Sequence, residues 1–310
     1  MPVVHIDLAC TNPIHLMRRQ LKYIYDHHLD DFEEFMVLKN FSRRTVTAYM
    51  QAVYQFLDWW DDNCPDIPMS DDVVRKYLVF RFESNKAWQT VNSDYSAIQK
   101  WFKNVLMLRW DIQKLPRPRK ERQLPRVFSR EDIVKIIEGA STFKHQVLLT
   151  FIYVTGVRLS EAIHMRIDDV DGNRKQIRIA KGKGGKDRYV LIPDVLLELL
   201  RTYYLRERPE EYLFNGKNKG KPLSQRAVQW ALQEAKKNAG VKRPGGIHTL
   251  RNCYATHHLE GGTDLVFLQE QMGHKQLKTT IRYIGLCVER HRYVQHPING
   301  MAIRYQIPTA

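Results

Sequence analysis

The sequence predicts a mainly α-helical protein with one small β-sheet, an α+β fold in which an all-helical N-terminal domain precedes a mixed C-terminal domain. Three observations carry this. Apolar residues recur at three- and four-residue intervals between Leu29 and Leu108, strict alternation is confined to the stretch between Lys175 and Ile192, and a segment rich in Pro and Arg separates the two regimes. A chain of 310 residues has room for about two domains, and 43% hydrophobic with 11% aromatic residues is enough to pack both.

In chain order, Phe32, Phe35 and Met36, then Val46, Tyr49, Met50, Val53, Phe56, Leu57 and Trp60, lie on the faces of two helices, with Ser42 as an N-cap after a break at Lys39-Asn40. A Pro-containing loop from Asn63 to Met69 leads to Ser70-Asp71-Asp72, an N-cap followed by acids, and to a helix carrying Val73, Val74, Tyr77, Leu78 and Phe80. A further helix over Trp88 to Leu108 aligns Val91, Tyr95, Ile98, Trp101, Phe102 and Val105. These four or five helices define an expected domain at 29–112, behind an N-terminal extension at 1–28. Residues 113–126 form the expected linker: Lys114, Arg117, Arg119, Lys120, Arg122 and Arg126 interleave with Pro116, Pro118 and Pro125. Such a stretch is either a solvated connector or a basic strap across phosphates, and Arg117, Arg119, Lys120 and Arg122 are the side chains expected to bind.

The mixed domain is expected at 127–292. Ser129 caps a helix through Ile133 to Ile137, and Gln146 to Val154 is an apolar helix ending at Thr155-Gly156. Two alternating runs, Gln176 to Ile179 and Arg188 to Ile192, flank the Gly/Lys-rich residues 181–186 as a β-hairpin. Helices resume at Val195 to Leu205, Ser224 to Asn238, His248 to Leu259 and Thr263 to Gln271, and a last one ends near Arg290. The tail, 293–310, has a turn followed by a short apolar run, Met301, Ile303 and Tyr305, that must pack on its own chain or on a neighbouring protomer.

A formal net charge of +15 points to a polyanionic partner. Four cysteines, Cys10, Cys64, Cys253 and Cys287, show neither a CxxC pair nor ligand spacing, as expected of reduced thiols in the cytoplasm. No apolar run approaches the ~20 residues of a membrane span, and the first residues lack a basic-then-apolar leader pattern. A cytoplasmic protein is expected, nucleoid-associated if bacterial.

Chemistry concentrates in the second half. Thr155-Gly156-Val157-Arg158 places an arginine after a glycine turn at a helix start, where it can face a phosphate or pair with Glu161 three residues on. Gly182 to Arg188 lacks the GxxxxGK[ST] spacing of a nucleotide loop, but Lys183 on a glycine-rich turn is suited to delivering a proton. His248 and Arg251, three apart, share one side of a helix start, where one exchanges a proton and the other binds a nonbridging oxygen. His257-His258 have no carboxylate or cysteine partners at ligand spacing, so no metal is expected. His274 follows a helix end, and Tyr283 comes nine residues later. Tyr283 is singled out among fifteen tyrosines by this company alone, a cluster suited to cleaving a DNA backbone through a covalent intermediate.

Taken in order and spacing, TGVRLSE, GKGGKDR, HTLRNCYATHHLE and MGHKQLKTTIRY resemble the catalytic boxes of the tyrosine recombinase (phage integrase) family over about residues 127–290. FEEFMVLKNFSRRTVTAYMQAVYQFLDWW is similar to that family's core-binding domain. The resemblance implies a tyrosine recombinase catalytic domain in which Arg158 and Arg251 clamp the scissile phosphate, Lys183 protonates the leaving 5′ oxygen, and His248 assists proton transfer. It implies that His274 bonds a nonbridging oxygen and that Tyr283 is the nucleophile. It further implies a homo-tetramer on two double-stranded DNA recombination sites, with room for accessory proteins, and no metal, nucleotide or other cofactor. Arg43, Arg44, Lys181, Lys186 and Arg188 join the linker residues as expected DNA contacts. The sequence departs from the family pattern at Asn252, where histidine is frequent, at His258, where an aliphatic residue is usual, and at Ile284-Gly285. Two rivals share the features: a type IB topoisomerase, which reseals the same strand, and a non-catalytic DNA-binding regulator on the same scaffold.

Overall fold

The computed structural model describes residues 13–111, 113–117, 125–180, 187–218 and 220–287, with the backbone alone for 13–24 and 26. It divides into two compact units, Met1–Arg122 and Gln123–Ala310. Within the described residues of the first unit are four helices: α1 (Pro13–Leu38), α2 (Arg43–Asn63), α3 (Asp71–Glu83) and α4 (Trp88–Asn104). α1 opens on a proline, whose fixed φ and missing N–H suit a first helical turn. The residue 28/29 boundary expected from periodicity therefore falls inside one helix.

Local capping explains why the chain turns where it does. The Ser42 hydroxyl accepts a hydrogen bond from the Thr45 N–H at 3.2 Å and starts α2. Ser70 stands at the N-cap of α3 without a side-chain cap bond, so Asp71 and Asp72 in the first turn are left to oppose the helix dipole. The core takes Leu29, Phe32 and Met36 from α1, Val53, Phe56 and Trp60 from α2, Val73, Val74 and Tyr77 from α3, and Val91, Ile98, Trp101 and Phe102 from α4. Phe80 is exposed on α3.

This core reaches beyond α4 into the expected linker. Trp110 and Leu115 are buried in it; the Trp110 indole donates to the Tyr95 hydroxyl at 3.1 Å, which in turn donates to the Leu115 carbonyl at 3.0 Å. Arg117 follows suit, donating to Asn92 and Ser96 on α4 and lying over the Tyr95 ring. Arg117 is thus a staple of the helical unit through these bonds, a reading its place in a Pro/Arg-rich stretch does not suggest.

The second unit is built around α10 (Ile247–Glu260), which is buried on nearly every side from Ile247 to His257. Such a helix belongs at the centre of a domain rather than on its surface. Against it packs α6 (Phe143–Thr155), with Val147, Leu148, Leu149, Phe151 and Ile152 inside. Around these lie α5 (Arg130–Glu138), the short α7 (Leu159–Ile163), α8 (Asp194–Glu207), α9 (Gln225–Asn238), α11 (Leu265–Met272) and α12 (Leu277–Ile284). Ser129, Ser224 and Asp264 cap α5, α9 and α11 through side-chain oxygens. The expected hairpin is present as β2 (Gln176–Ile179) and β3 (Arg188–Leu191), antiparallel with Ile177 opposite Val190 and Ile179 opposite Arg188. A two-residue strand, β1 (Val170–Asp171), extends it to the order β1-β2-β3. The helix bearing Tyr283 ends at Ile284, short of the end near Arg290 expected from sequence; Cys287 is the last described residue.

Two turns need glycine. At Gly156, φ is +59° and a Cβ would sit 2.2 Å from a Tyr254 ring carbon; at Gly273, φ is +62° and a Cβ would sit 2.8 Å from Arg188 Cδ. Gly156→Ala combines left-handed strain with an overpacked contact, so it should cost at least about 2 kcal/mol in urea unfolding, against no change if the turn is soft.

Candidate active site

Four chain segments converge within the second unit: the turn after α6, the start of β3, α10, and the turn from α11 into α12. Arg158 follows the Gly156 turn as N-cap of α7 in extended conformation, and the Glu161 carboxylate accepts both its backbone N–H and its Nη1, each at 2.8 Å. The second guanidinium contact of Arg158 is Nη2 to the Gly273 carbonyl at 3.2 Å. From β3, Arg188 meets the same Glu161 in a two-pronged pair at 2.9 and 2.8 Å and donates Nε to the Gln271 carbonyl. Arg251, only 2% exposed, donates Nη1 to the Gly156 carbonyl, and Nη2 to the Met272 carbonyl at 2.7 Å and to His274 Nε2 at 3.0 Å.

Their partners follow from secondary structure. The carbonyls of Gly156, Met272 and Gly273 sit where α6 and α11 end, and the last carbonyls of a helix have no partner within it. These helix ends carry partial negative charge, which helps to hold cations out of water. Even so, three guanidinium groups face one carboxylate among the described residues of this cluster, a net positive charge suited to an anion.

Glu161, Arg251, His274 and His248 register the surroundings. Burial alone would raise the Glu161 pKa, but hydrogen bonds from Arg188 and Arg158 outweigh it and hold the carboxyl at about 2. Burial, then the charge of Arg158, brings Arg251 down to about 10, still protonated at neutral pH. Burial followed by Arg251, Arg158, Arg188 and Arg282 lowers His274 to about 4. His248, at the protein surface, is lowered by partial desolvation of its ring and then by Arg251, Arg158 and Arg282. Both imidazoles are neutral at pH 7.

Tyr283 lies at the far edge of this cluster on α12, 5% exposed, in a small core with Tyr254, Ala255, Leu268 and Met272. Its ring stacks on His274 with centroids 6.2 Å apart, and its hydroxyl makes a long contact, 3.4 Å, to Asn252 Oδ1. Burial raises its pKa, against the pull of Arg251, Arg282 and Arg158, so the phenol is protonated at neutral pH. Asn252, a departure from the family pattern, thereby touches the hydroxyl while donating to the Arg126 carbonyl.

Of the residues singled out from sequence, the structure brings together Arg158, His248, Arg251, His274 and Tyr283. Lys183, Lys181 and Lys186 lie outside the described residues, as do Arg119, Lys120 and Arg122. Arg43 and Arg44 are exposed at the start of α2. Arg188, grouped from sequence with the DNA contacts, instead spends its three guanidinium nitrogens on Glu161 and Gln271 and is 12% exposed in its side chain. The reason is non-local: its carboxylate partner comes from α7, 27 residues earlier in the chain. Two further residues escape a sequence reading. Arg282 is exposed beside the site and acts on His248, His274 and Tyr283 through its charge. Thr280, fully buried, holds His274 Nδ1 at 2.8 Å. Both sit within three residues of Tyr283, which was the available signal. His257 is committed to the fold: its Nδ1 accepts from Tyr153 and its Nε2 donates to the Phe128 carbonyl. Among the described residues no group of three or more His, Cys, Asp or Glu could hold a metal ion, and no helix is long and apolar enough to cross a membrane.

Residues 126–290 match the phage integrase family, and residues 28–112 match the phage integrase N-terminal SAM-like domain. The chain belongs to the phage integrase family. It is an enzyme of the tyrosine recombinase class within it. A putative integrase/recombinase of Sinorhizobium fredii, y4qK, is 33% identical over 259 residues, which cover 83% of this chain and 83% of that protein. The tyrosine recombinase XerA of Pyrococcus furiosus is 30% identical over 286 residues, 88% of this chain and 96% of the relative. Among solved structures, a lambda integrase tetramer bound to a Holliday junction superimposes with a TM-score of 0.68 over 87% of this chain and 79% of the other; at 18% identity this is a likeness of fold.

The depressed Glu161 and His274 pKa values have a consequence for stability. In the unfolded chain these groups return to ordinary values of 4.5 and 6.5, so the unfolded state binds more protons between about pH 6.5 and 2. Stability should be fully present above pH 6.5 and fall as the pH is lowered, first through His274 and then through Glu161. Thermal melts at pH 7, 5.5 and 4.5 should show this decline, and His274→Gln should flatten its upper part; a wild-type melting point independent of pH over that range would contradict the assignment.

Proposed function

We propose that this integrase-family chain cleaves and rejoins strands at double-stranded DNA recombination sites through a 3′-phosphotyrosine formed on Tyr283. The observation that carries the reading is the cluster of three guanidinium groups around a single carboxylate, set beside the one tyrosine that stacks on His274. A scissile phosphate matches the net positive charge of this cluster. Arg158 and Arg251 bind its nonbridging oxygens, with His274 as a further donor. Tyr283 Oη attacks phosphorus in line, the bond to the 5′ oxygen breaks, and the tyrosine proton passes toward His248, whose neutral imidazole is able to accept it. A preorganised donor aimed at the charge of a pentacoordinate phosphorus is commonly worth about 3 kcal/mol. The energy of the broken ester is kept in the protein–DNA bond, so rejoining needs no external source.

Lys183 is assigned protonation of the leaving 5′ oxygen. Support comes from the residues that flank it in the chain: Ile179 and Arg188 are paired at the strand ends, and Arg188 is itself bonded into the site. The assembly proposed is a homo-tetramer on two duplexes, in keeping with the lambda integrase tetramer bound to a Holliday junction. The tail residues Met301, Ile303 and Tyr305, outside the described residues, are proposed to pack on a neighbouring catalytic domain, with packing on their own chain as the alternative.

On a nicked site recovered by selection from a random duplex pool, Tyr283→Phe should abolish the covalent adduct while leaving DNA affinity within about twofold, since affinity rests on many phosphate contacts. An adduct that persisted would move the nucleophile to Tyr254, which is buried against Gly156 with its pKa pushed up to about 12, or to Tyr293. Lys183→Ala should slow cleavage by roughly a hundred- to ten-thousandfold, and a 5′-bridging sulfur in the substrate should restore much of the rate because a thiolate leaves without a proton. Equal impairment on both substrates would restrict Lys183 to positioning DNA.

A further inference from the structure

The two ring nitrogens of His274 face different partners. Arg251 Nη2 lies 3.0 Å from Nε2, and the Thr280 hydroxyl lies 2.8 Å from Nδ1. A guanidinium nitrogen can only donate, so Nε2 is the bare, accepting nitrogen in this state. A neutral imidazole carries one N–H, which must then be on Nδ1 and must donate to Thr280 Oγ1. The doubly protonated ring is excluded at neutral pH, because burial and then Arg251, Arg158, Arg188 and Arg282 hold the pKa at about 4. Thus, with these partners, His274 has no proton on the nitrogen that faces the arginine cluster.

That tautomer is the wrong one for donating to a phosphate oxygen. When a phosphate takes up the Arg251 guanidinium, Nε2 loses its donor and must carry a proton to be of use, and Nδ1 must then accept. Whether Nδ1 can accept depends on the group opposite it. A carbonyl or carboxylate there would hold the proton on Nδ1 permanently, and an aliphatic group would leave either form unsatisfied. A hydroxyl both donates and accepts by rotating about one bond. Thr280 is fully buried, and the backbone of His274 is pinned by a bond from its N–H to the Gln269 carbonyl and another from Gln269 Nε2 to its own carbonyl, so water does not replace the hydroxyl and the ring stays in place.

We propose that Thr280 is a positioning residue that selects the tautomer of His274, accepting from Nδ1 in the DNA-free protein and turning to donate to Nδ1 once the scissile phosphate engages Arg251. In the exchange Nδ1 gives a proton to solvent and Nε2 takes one up, with no change in net charge. The proposal rests on the reading of His274 as a phosphate ligand, and the test separates the two.

The full-length protein, labelled with ¹⁵N-histidine and assigned by comparison with His274→Gln, is examined by long-range ¹H–¹⁵N correlation at pH 7, alone and with the nicked duplex. The expected result is Nδ1–H with bare Nε2 in the free protein, reversed in the complex. In single-turnover cleavage Thr280→Val should be about tenfold to a hundredfold slower than wild type, the loss expected for a buried acceptor left unpaired, and Thr280→Ser should stay within about threefold. Nε2–H in the free protein, an unmoved proton in the complex, Thr280→Val cleaving at the wild-type rate, or Thr280→Ser as slow as Thr280→Val would each overturn the proposal. A Thr280→Val chain that fails to fold leaves the wild-type spectra to decide. Failure of the wild type to form any adduct would sink the functional reading instead, whatever the free-protein tautomer.

Discussion

The second unit depends on holding several guanidinium groups together, out of water, with one carboxylate among them. Left in a low-dielectric interior, Arg158, Arg188 and Arg251 would repel one another and each would forfeit its hydration. The fold offsets this in two ways. Glu161 pairs with Arg158 and Arg188 at once, and carbonyl groups at the C-terminal ends of α6 and α11 accept further N–H groups from Arg158 and Arg251. Both helix ends turn through left-handed glycines, and each glycine also makes room for a neighbouring side chain, Tyr254 in one case and Arg188 in the other. The same atoms that terminate helices therefore build the site, and a change in either turn reaches the arginines directly.

From that constraint the protonation pattern follows. Burial first, and then positive charge with insufficient counter-charge, keeps His248 and His274 neutral, and the same charge draws the Tyr283 phenol partway back from the rise that burial imposes. Glu161, held ionised, is the counter-ion that lets the arginines coexist before DNA arrives. α10 carries His248, Arg251 and Asn252 through the centre of the unit, so these side chains are set by a helix packed on nearly every side, while Tyr283 approaches from a short helix at the edge.

Much of this could be read in the sequence, because it is local. Ser42, Ser129 and Ser224 announce their helices, the alternation around residues 176–192 announces the hairpin, and Gly156 announces the end of α6. The Arg158–Glu161 pairing, weighed from sequence against a phosphate-facing arginine, is present at 2.8 Å and belongs to the arginine cluster, so the two readings are compatible. What stayed hidden is non-local or inverted in character. No spacing rule links Arg188 to Glu161 across the hairpin, or Thr280 to His274 across a helix turn whose register the sequence leaves open. Arg117 and Leu115 lie among prolines and charges that signal a tether, yet the Tyr95–Trp110 pair draws them onto the helical core. α1 starts far ahead of the first regular apolar period, at a proline.

The claim that the arginine cluster is a receptor for one phosphate is tested most directly by removing one charge from the DNA. Affinity is measured for a recognised duplex with a neutral methylphosphonate at the scissile step and for the same duplex with that substitution at a flanking step. Charge-assisted hydrogen bonds from buried donors predict a loss of about tenfold to a hundredfold at the scissile step, and only a few-fold elsewhere. Equal affinities for the two duplexes would contradict the account.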